Sequence, residues 1–401
     1  MVNVLVVSDV FWPEGSGGEL ATYLYLKRIN KIDFTLLTGT PYSMIPKEII
    51  MKSNVKIITV PWLRKKRRIN LWTTIIKNQD AIHKFLYDQD VVYITRESIP
   101  IAKYAKKANK NIKVIYHLHG YLPLSYNSIS IFPHEKTMKD LSKVSTYIAF
   151  KNNPINGFAS AAIGKLITWY ARKTLDYVDV IVCVSKRQKE ILSMSIPFLK
   201  KRLTYIYNPI PDDIEIQEKL PDDTPSFIYL GGDSLIKGFE VLLKALQKLV
   251  KMKVSFKAYL ANRYSQNSIR RIHDVANSKN VYVVGKLERG KLKDLYNKTW
   301  ALLFPSIHEE PLPYAIMEAM LTGNIPIASR VGGVPELMNS NFLSNFLVKP
   351  YSPEDLLRKI SFIINMDNQT IKERSRVLKT HIKSLIQDYG PEEKLAKLFG
   401  G

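Results

Sequence analysis

The chain has 401 residues, 46% of them hydrophobic, which is more than one hydrophobic core usually organises, so we expect two domains. Its single cysteine, Cys183, excludes a disulfide framework and a cysteine-rich metal site, and no apolar run reaches the roughly 18 to 20 residues of a membrane span. The formal charge of +23 favours anionic partners such as nucleotide diphosphates, nucleic acid or acidic lipid, although a solubilising lysine-rich surface explains it equally well.

Short apolar runs bounded by turn residues alternate with helical-period segments along the chain, which is typical of parallel sheets flanked by helices. The predicted strands of the first half are residues 3–8, 34–38, 55–60, 91–95, 113–117 and 180–185, and those of the second half are 227–231, 255–260, 281–285, 301–305 and 325–329. The repetition predicts an α/β protein of two doubly wound, Rossmann-like domains.

A stretch rich in proline and acidic residues follows Asn208 and indicates a linker between the two domains. We therefore predict an N-terminal domain of residues 1–208 and a C-terminal domain of residues 209–387, with residues 388–401 crossing back to the first. Open parallel sheets bind ligands at the carboxyl ends of their strands, so a cleft between the two facing domains is the expected ligand site.

The loop after the first predicted strand is glycine-rich and includes Gly15, Gly17 and Gly18. It lacks the Gly-x-Gly-x-x-Gly spacing of dinucleotide-binding proteins, so a nicotinamide-dependent enzyme is disfavoured.

A basic cluster flanked by tryptophans comes next in the chain. Its residues are Trp62, Arg64, Lys65, Lys66, Arg67, Arg68 and Trp72. Cations suit anionic headgroups and tryptophan suits the membrane interface, so we predict that this segment docks the protein on an anionic membrane surface. A solvated loop and a nucleic-acid patch are the alternatives. Since one cysteine indicates a reducing compartment, the expected location is the cytoplasm, peripheral on the inner face of the membrane.

Asp88 and Asp90 form the one Asp-x-Asp pair of the sequence. Some sugar-transferring enzymes bind a divalent metal through such a pair, but this one precedes a predicted strand instead of following it. A solvated turn is the better interpretation, and we predict no metal site.

His117, His119 and Gly120 lie at the end of a predicted strand, where a doubly wound domain presents its site. We expect one of the two histidines to face the ligand, while His117 could share that face or be structural. The following stretch, residues 121–174, is long and aromatic and contains a predicted helix at 158–170. Insertions of this kind often carry specificity.

Gly231, Gly232 and Lys237 follow the first strand of the second domain. Glycines there allow the backbone to approach a phosphate, and a lysine supplies a point charge. An ordinary strand-to-helix turn with a surface lysine is the alternative.

The most informative segment is the strand, loop and helix of residues 304–323. Pro313 suits the first turn of a helix over 314–322, and Gly323 suits its C′ position. We expect the backbone N–H groups of Leu312, Tyr314 and Ala315 to face outward as a site for a phosphate or a sugar hydroxyl. Glu310 in the loop and Glu318 in the helix then accept hydrogen bonds from hydroxyl groups.

Glu310 and Glu318 are spaced as in the E-x7-E motif, and the following strand leads into Val331-Gly332-Gly333-Val334-Pro335-Glu336-Leu337. In this the chain resembles the retaining GT-B glycosyltransferases of family four, and the resemblance extends from Gly17 to Leu337. It implies a GT-B fold and transfer of a sugar from a nucleotide diphosphate sugar to a glycan or lipid-linked hydroxyl acceptor, without a further cofactor.

The resemblance also implies roles for individual residues. Glu318 would bind the ribose hydroxyls, and Glu310 and His119 would lie near the transferred sugar as catalytic residues. The implied donor-binding residues are Gly17, Gly18, Gly231, Gly232, Lys237, Leu312, Pro313 and Tyr314. The family usually has arginine directly after the first glycine of the 231–238 loop, whereas this chain has Gly232, and Arg263 or Arg330 could replace that charge.

Two alternatives from other classes stay open. A basic protein that binds or modifies nucleic acid would explain the charge. A GT-B protein that is not a transferase, such as a nucleotide-sugar epimerase, would explain the fold and the missing arginine.

Overall fold

A computed structural model describes residues 2–65, 67–131, 154–275 and 280–400. They form two compact units. The first unit holds the described residues up to Ser130, those from 154 to Pro209, and those from Gly390 onward. The second unit holds Ile131 and Ile210–Tyr389.

The first unit is built on a seven-stranded sheet in which all strands are parallel. Its strands are β1 (Asn3–Ser8), β2 (Asp33–Thr38), β3 (Val55–Thr59), β4 (Val91–Thr95), β5 (Lys113–Leu118), β6 (Val180–Cys183) and β7 (Leu203–Tyr205). They lie in the order β3-β2-β1-β4-β5-β6-β7, so the winding reverses between β1 and β4. Ligands of doubly wound sheets bind outside the carboxyl ends of the strands at such a reversal.

Helices connect these strands. They are α1 (Gly17–Arg28), α2 (Lys47–Ile50), α3 (Arg68–Lys77), α4 (Gln79–Leu86), α5 (Ile101–Ala108), α6 (Pro154–Thr174) and α7 (Lys186–Ser195). Every residue of β4 is buried, as expected for a parallel strand covered by helices on both faces. Cys183 at the end of β6 is fully buried and packs as a small core residue.

The second unit is built on a six-stranded parallel sheet. Its strands are β8 (Ser226–Tyr229), β9 (Lys257–Ala261), β10 (Val281–Gly285), β11 (Ala301–Phe304), β12 (Ile325–Ser329) and β13 (Leu347–Val348). The order β10-β9-β8-β11-β12-β13 repeats the arrangement of the first sheet, and the reversal lies between β8 and β11.

The helices of the second unit are α8 (Phe239–Lys251), α9 (Gln266–Val275), α10 (Arg289–Lys298), α11 (Tyr314–Leu321), α12 (Val334–Leu337), α13 (Asn341–Ser344), α14 (Pro353–Ile364) and α15 (Asn368–Tyr389). The last helix, α16 (Pro391–Phe399), belongs to the first unit. There Phe399 packs on Phe34 and Tyr93, with ring centroids 5.9 and 5.2 Å away, and Arg28 pairs with Glu392 at 2.8 Å.

Every strand predicted from the sequence is present, and the predicted class of two doubly wound α/β units is confirmed. β7 and β13 were not predicted, because runs of three and two residues at the sheet edges leave too short a pattern. The helix predicted at 158–170 is part of the longer α6. In the described parts of the chain, no helix has the length and apolar character needed to cross a membrane.

Candidate active site

The loops after β8 and β11 are joined at the winding reversal of the second unit. β8 and β11 are neighbours, with Ala301 opposite Phe227. Past the strand ends, the backbone N–H of Ile307 donates to the carbonyl of Ile236 at 3.0 Å, and the Ser306 hydroxyl oxygen lies 2.9 Å from the same carbonyl oxygen. These bonds hold the glycine-rich loop against the loop that carries Glu310.

Lys237 and Glu310 form an ion pair as a result. The Lys237 ammonium donates to Glu310 Oε1 at 2.7 Å. The Ser306 hydroxyl lies 2.9 Å from this oxygen and 2.9 Å from the Ile236 carbonyl, and its one proton is donated to either of them. The Glu310 residue is only 6% exposed. Burial raises the pKa of the Glu310 carboxyl. The charges of Lys237 and His308 and the hydrogen bonds from Lys237 and Ser306 lower it by more than burial raises it, so the net pKa lies below the usual value. Glu310 is therefore an ionised carboxylate at neutral pH.

Two glycines of the loop after β8 are required by close backbone contacts. At Gly238, φ is +80°, and a Cβ would lie 1.8 Å from the carbonyl oxygen of Pro305. At Gly232, φ is +61°, and a Cβ would lie 2.9 Å from the carbonyl oxygen of Arg263. Arg263, which the sequence suggested as a substitute cation, thus approaches the loop through its backbone, and its side chain is exposed.

Glu318 has a different cationic partner, Arg289, at the start of α10. Arg289 Nη1 donates to Glu318 Oε1 at 2.6 Å, and Arg289 Nε and Nη2 each donate to a carboxylate oxygen of Asp213 at 2.8 Å. Burial raises the pKa of Glu318, and the opposing effect of Arg289 is smaller, so the net pKa lies above its usual value. Sequence reasoning missed Arg289 and Asp213, because no local pattern links residues that are so far apart in the chain.

Helix α11, which carries Glu318, begins and ends close to the predicted positions. Pro313 is its N-cap, with extended backbone angles, and not a residue of its first turn. The prediction for Pro313 was wrong by one position. The Pro313 carbonyl already accepts from the N–H of Ile316, but the backbone of Pro313 itself is extended, so the helix begins at Tyr314. At the other end Gly323 has φ +71°, and the N–H groups of Gly323 and Asn324 donate to the carbonyls of Met320 and Ala319. This is a Schellman motif, and it confirms Gly323 at C′.

Glu309, beside Glu310 in sequence, has a structural role. Its Oε2 accepts from the N–H of Gly332 at 2.6 Å, and the carbonyl of Glu310 accepts from the N–H of Gly333 at 2.8 Å. A Cβ at Gly332 would lie 1.9 Å from that carbonyl oxygen. The Gly-Gly loop therefore packs directly on the backbone of Glu310 and is held by the side-chain carboxylate of Glu309.

The first unit brings its glycine-rich loop next to His119. Gly17 and Gly18 are the first residues of α1, whose start is closed by a capping box between Ser16 and Glu19. A Cβ at Gly18 would lie 3.1 Å from Cγ of His119, so only a small residue fits there without displacing the ring.

The rings of His117 and His119 lie on the same face, which is one of the two possibilities that the sequence left open for His117. Their rings stack at 4.5 Å between centroids, and the Tyr93 hydroxyl lies 2.5 Å from Nδ1 of His117. Nε2 of each ring is buried and has no hydrogen-bond partner in the described residues. Burial, and secondarily the charge of Arg96, lowers the pKa of His119 to about 3, and burial also lowers that of His117. Both rings are neutral at physiological pH.

Asp9 and Arg96, after β1 and β4, extend this cluster and were not predicted. Arg96 has φ +61° and pairs with the buried Glu19. Burial raises the pKa of Asp9 to about 6 despite the nearby Arg96, and its Oδ1 has no partner in the described residues.

The predicted membrane segment is not one exposed patch. Trp72 is 5% exposed, packs in the core of the first unit and donates its indole N–H to the Glu97 carbonyl at 2.7 Å. Its assignment to membrane contact is therefore wrong. Arg68 pairs with both carboxylate oxygens of Glu97, and Arg64 pairs with Glu14.

The remaining residues of that segment differ in exposure. Lys65 and Arg67 are exposed, and Trp62 is partly buried against the core. Lys66 lies outside the described residues. Asp88 and Asp90 lie in the turn before β4, and Asp90 accepts from the N–H of Asn3 at 2.9 Å. Both residues are exposed and precede the amino end of β4, which confirms the predicted solvated turn.

Comparison with known proteins gives matches along most of the chain. Residues 24–214 match the description "Glycosyltransferase Family 4", and residues 212–383 match "Glycosyl transferases group 1". A phosphatidylinositol N-acetylglucosaminyltransferase subunit from Arabidopsis thaliana is 21% identical over 91% of this chain and 75% of its own length. The Salmonella typhimurium lipopolysaccharide 1,2-N-acetylglucosaminetransferase is 23% identical over 44% of this chain and 48% of its own length.

Among solved structures, Anabaena HepE in complex with UDP and glucose superposes with a TM-score of 0.70 at 15% identity, covering 100% of both chains. The two doubly wound units and their strand-end loops define a protein of the GT-B class. The chain belongs to the group 1 glycosyltransferases of this fold, which confirms the family and the fold that the sequence resemblance implied.

Proposed function

We propose that this glycosyltransferase moves a sugar, with retention at the anomeric carbon, from a nucleotide diphosphate sugar to a hydroxyl acceptor. One observation carries the proposal: two buried carboxylates, Glu310 and Glu318, flank the start of α11 at the winding reversal of the second unit, and each is paired with a separate cation. The amides of the helix start suit phosphate, while the carboxylates suit sugar and ribose hydroxyls. The naming of UDP and glucose in the HepE complex makes uridine the first base to test.

In this proposal each group has one task. Glu318 accepts hydrogen bonds from the ribose, and Glu310 from the transferred sugar. The start of α11, from Leu312 to Tyr314, and Lys237 stabilise the charge that develops on the departing diphosphate, so no metal is required. The bond from the anomeric carbon to the phosphate oxygen breaks, and a bond to the acceptor oxygen forms on the same face. The acceptor proton passes to a phosphate oxygen of the leaving group.

The first domain, residues 1–208, is the proposed acceptor domain, with Gly17, Gly18 and His119 facing the donor sugar. We further propose a lipid-linked acceptor or a growing glycan. Two relatives are named for transfer of N-acetylglucosamine to phosphatidylinositol and to lipopolysaccharide, which supports a lipid-linked molecule. Family membership favours transfer over the epimerase and nucleic-acid alternatives.

A membrane-facing surface, which fits that acceptor, is part of the proposal. On α6, Lys165, Trp169 and Lys173 are exposed and spaced by four residues, so they share one face with the exposed Leu166. Helix α6 contains no acidic residue. It contacts α3 through Tyr170 and Trp72, whose rings lie 5.2 Å apart. An exposed tryptophan between lysines suits an anionic membrane, here the cytoplasmic face.

The donor site is tested by screening uridine, guanosine and adenosine diphosphate sugars without added metal. Thermal shift and donor hydrolysis are measured for the wild type and for Glu318→Ala. We expect one nucleotide to stabilise the wild type and to act weakly on the variant. Absence of a shift with all three would contradict the proposal.

The membrane surface is tested by co-sedimentation with vesicles of phosphatidylcholine, with and without phosphatidylglycerol. We expect binding only to the anionic vesicles, reduced in Trp169→Ala and unchanged in Lys201→Glu, an exposed lysine elsewhere in the same unit. Equal, weak binding to both vesicles would exclude the surface. DNA binding that falls steeply with salt would instead favour a nucleic-acid partner.

A further inference from the structure

We infer that Arg289 is a positioning residue that holds Glu318 as an oriented hydrogen-bond acceptor for the ribose of the donor. The inference rests on the proposed donor site, in which Glu318 receives the ribose hydroxyls. It adds a residue that the sequence motif does not contain and assigns it a task separate from contact with the donor.

The geometry of the guanidinium supports this role. Two of its N–H groups form a bidentate pair with the oxygens of Asp213, and Nη1 is left to donate to Glu318 Oε1 at 2.6 Å. The plane and direction of the guanidinium are thus fixed by Asp213 before it reaches Glu318. Glu318 Oε2 makes no hydrogen bond within the described part of the chain, so one oxygen is held while the other can accept from a hydroxyl.

The electrostatics make a nearby cation necessary. Glu318 is 6% exposed, and burial disfavours its charged form. The charged and titratable groups that face it are Arg289 and Tyr296 from α10 and Asp213 from the segment before β8. Asp213 also raises the pKa of Glu318, and the burial of Tyr296 keeps that phenol neutral. Arg289 is the one group among the three that favours the carboxylate.

A protonated Glu318 would be a poorer partner for the ribose, because one oxygen becomes a donor while both ribose hydroxyls need an acceptor. Arg289 therefore affects donor recognition through the protonation state of Glu318. Asp213 has two opposed effects, since it anchors Arg289 but also repels the Glu318 charge. Replacing Arg289 and replacing Asp213 should shift the pH dependence of ribose recognition in opposite directions.

The test compares binding of UDP with that of 2′-deoxy-UDP by calorimetry between about pH 5.5 and pH 8.5, or the matching pair for another base selected by the donor screen. The wild type should prefer the ribonucleotide about tenfold or more, the effect expected of a hydrogen bond to a charged group. Arg289→Gln should lose most of this preference at low pH and regain it as the pH rises. Arg289→Lys should retain most of it, because the positive charge remains.

Two further variants separate the charge effect from a purely structural one. Asp213→Asn should extend the ribose preference to lower pH, whereas a structural triad would lose the preference in both variants. Arg358→Gln removes an exposed arginine that pairs with Asp355 on α14, and should leave the preference unchanged. If the pH dependence of the ribose preference were the same in Arg289→Gln as in the wild type, the inference about Arg289 would be overturned, but the ribose role of Glu318 would not. Equal binding of both nucleotides by the wild type would overturn the ribose role of Glu318 and the inference with it.

Discussion

The two units share a strand order but treat buried polar groups at their strand ends differently. In the second unit, Glu310 and Glu318 each have a cation within 2.7 Å, supplied by Lys237 and Arg289. In the first unit, Nε2 of His117, Nε2 of His119 and Oδ1 of Asp9 have no partner in the described residues. One sheet compensates buried charge with an opposite charge.

The other sheet pairs one buried carboxylate, Glu19, with Arg96, but for His117, His119 and Asp9 burial shifts the pKa toward the neutral form instead. The low pKa of His119, about 3, keeps that ring neutral, and the pKa of Asp9 is raised to about 6. A neutral imidazole can donate or accept a hydrogen bond without carrying a charge into an apolar site. The difference fits the proposed function, in which the second unit binds the charged diphosphate donor and the first unit binds the hydroxyl acceptor. Three variants test this difference.

The largest effect is expected for Glu310→Gln. The amide keeps the shape of the side chain but removes the charge that pairs with Lys237, and it is a weaker acceptor for a sugar hydroxyl in a buried site. We expect kcat for sugar transfer to fall by about 100-fold to 1,000-fold, similar to the loss of one well-placed hydrogen bond to a transition state. Initial rates at saturating donor measure this.

Glu309→Gln is the matched control for local disruption, because Glu309 holds the Gly332 N–H on the other side of the same loop. A near wild-type kcat in Glu310→Gln would show that the charge of Glu310 does not contribute to sugar transfer.

An intermediate effect, on stability, is expected for Asp9→Asn. The pKa of Asp9 is about 6 in the folded protein and near 3.8 when unfolded, so the native state binds more protons between these values. The contribution of Asp9 to stability therefore falls as pH rises from about 4 to about 6, and ionisation costs about 3 kcal/mol above that range. Asp9→Asn should gain up to this amount relative to the wild type between pH 4 and pH 7, measured by urea unfolding.

Asp90→Asn, in the exposed turn before β4, provides the control for a carboxylate outside the cluster. A stability difference between Asp9→Asn and the wild type that does not change with pH would show that Asp9 carries no buried charge.

The smallest effect is expected for His119→Asn. A neutral histidine contributes an ordinary hydrogen bond, so we expect kcat to fall about tenfold. Because the pKa of His119 is about 3, the ring stays neutral throughout the assay range, and its removal should not alter the pH profile of kcat/KM between about pH 5 and pH 9. Loss of an inflection near pH 6 to 7 in the variant would instead identify His119 as a titrating catalytic group and break the comparison.

Much of the fold could be predicted because its signals are local. The strands β1, β4 and β11 are nearly continuous apolar runs, because helices cover both faces of a parallel sheet and successive side chains are therefore buried. Gly323 could be placed at the end of α11 because the left-handed conformation needed there favours glycine. The prediction for the basic segment was wrong because the burial of a side chain depends on tertiary packing, and the local composition does not reveal that Trp72 points into the core.

The sequence by itself determined the class of the protein, the alternation of strands and helices, and the spacing of Glu310 and Glu318. Only the tertiary structure decided that Glu310 pairs with Lys237, that Glu318 pairs with Arg289, and that His117 stacks on His119. The physical reason is that secondary structure follows from neighbours in the chain. The charge state of a buried side chain depends on the groups that the strand order of a sheet brings to its end, and those groups come from distant parts of the chain.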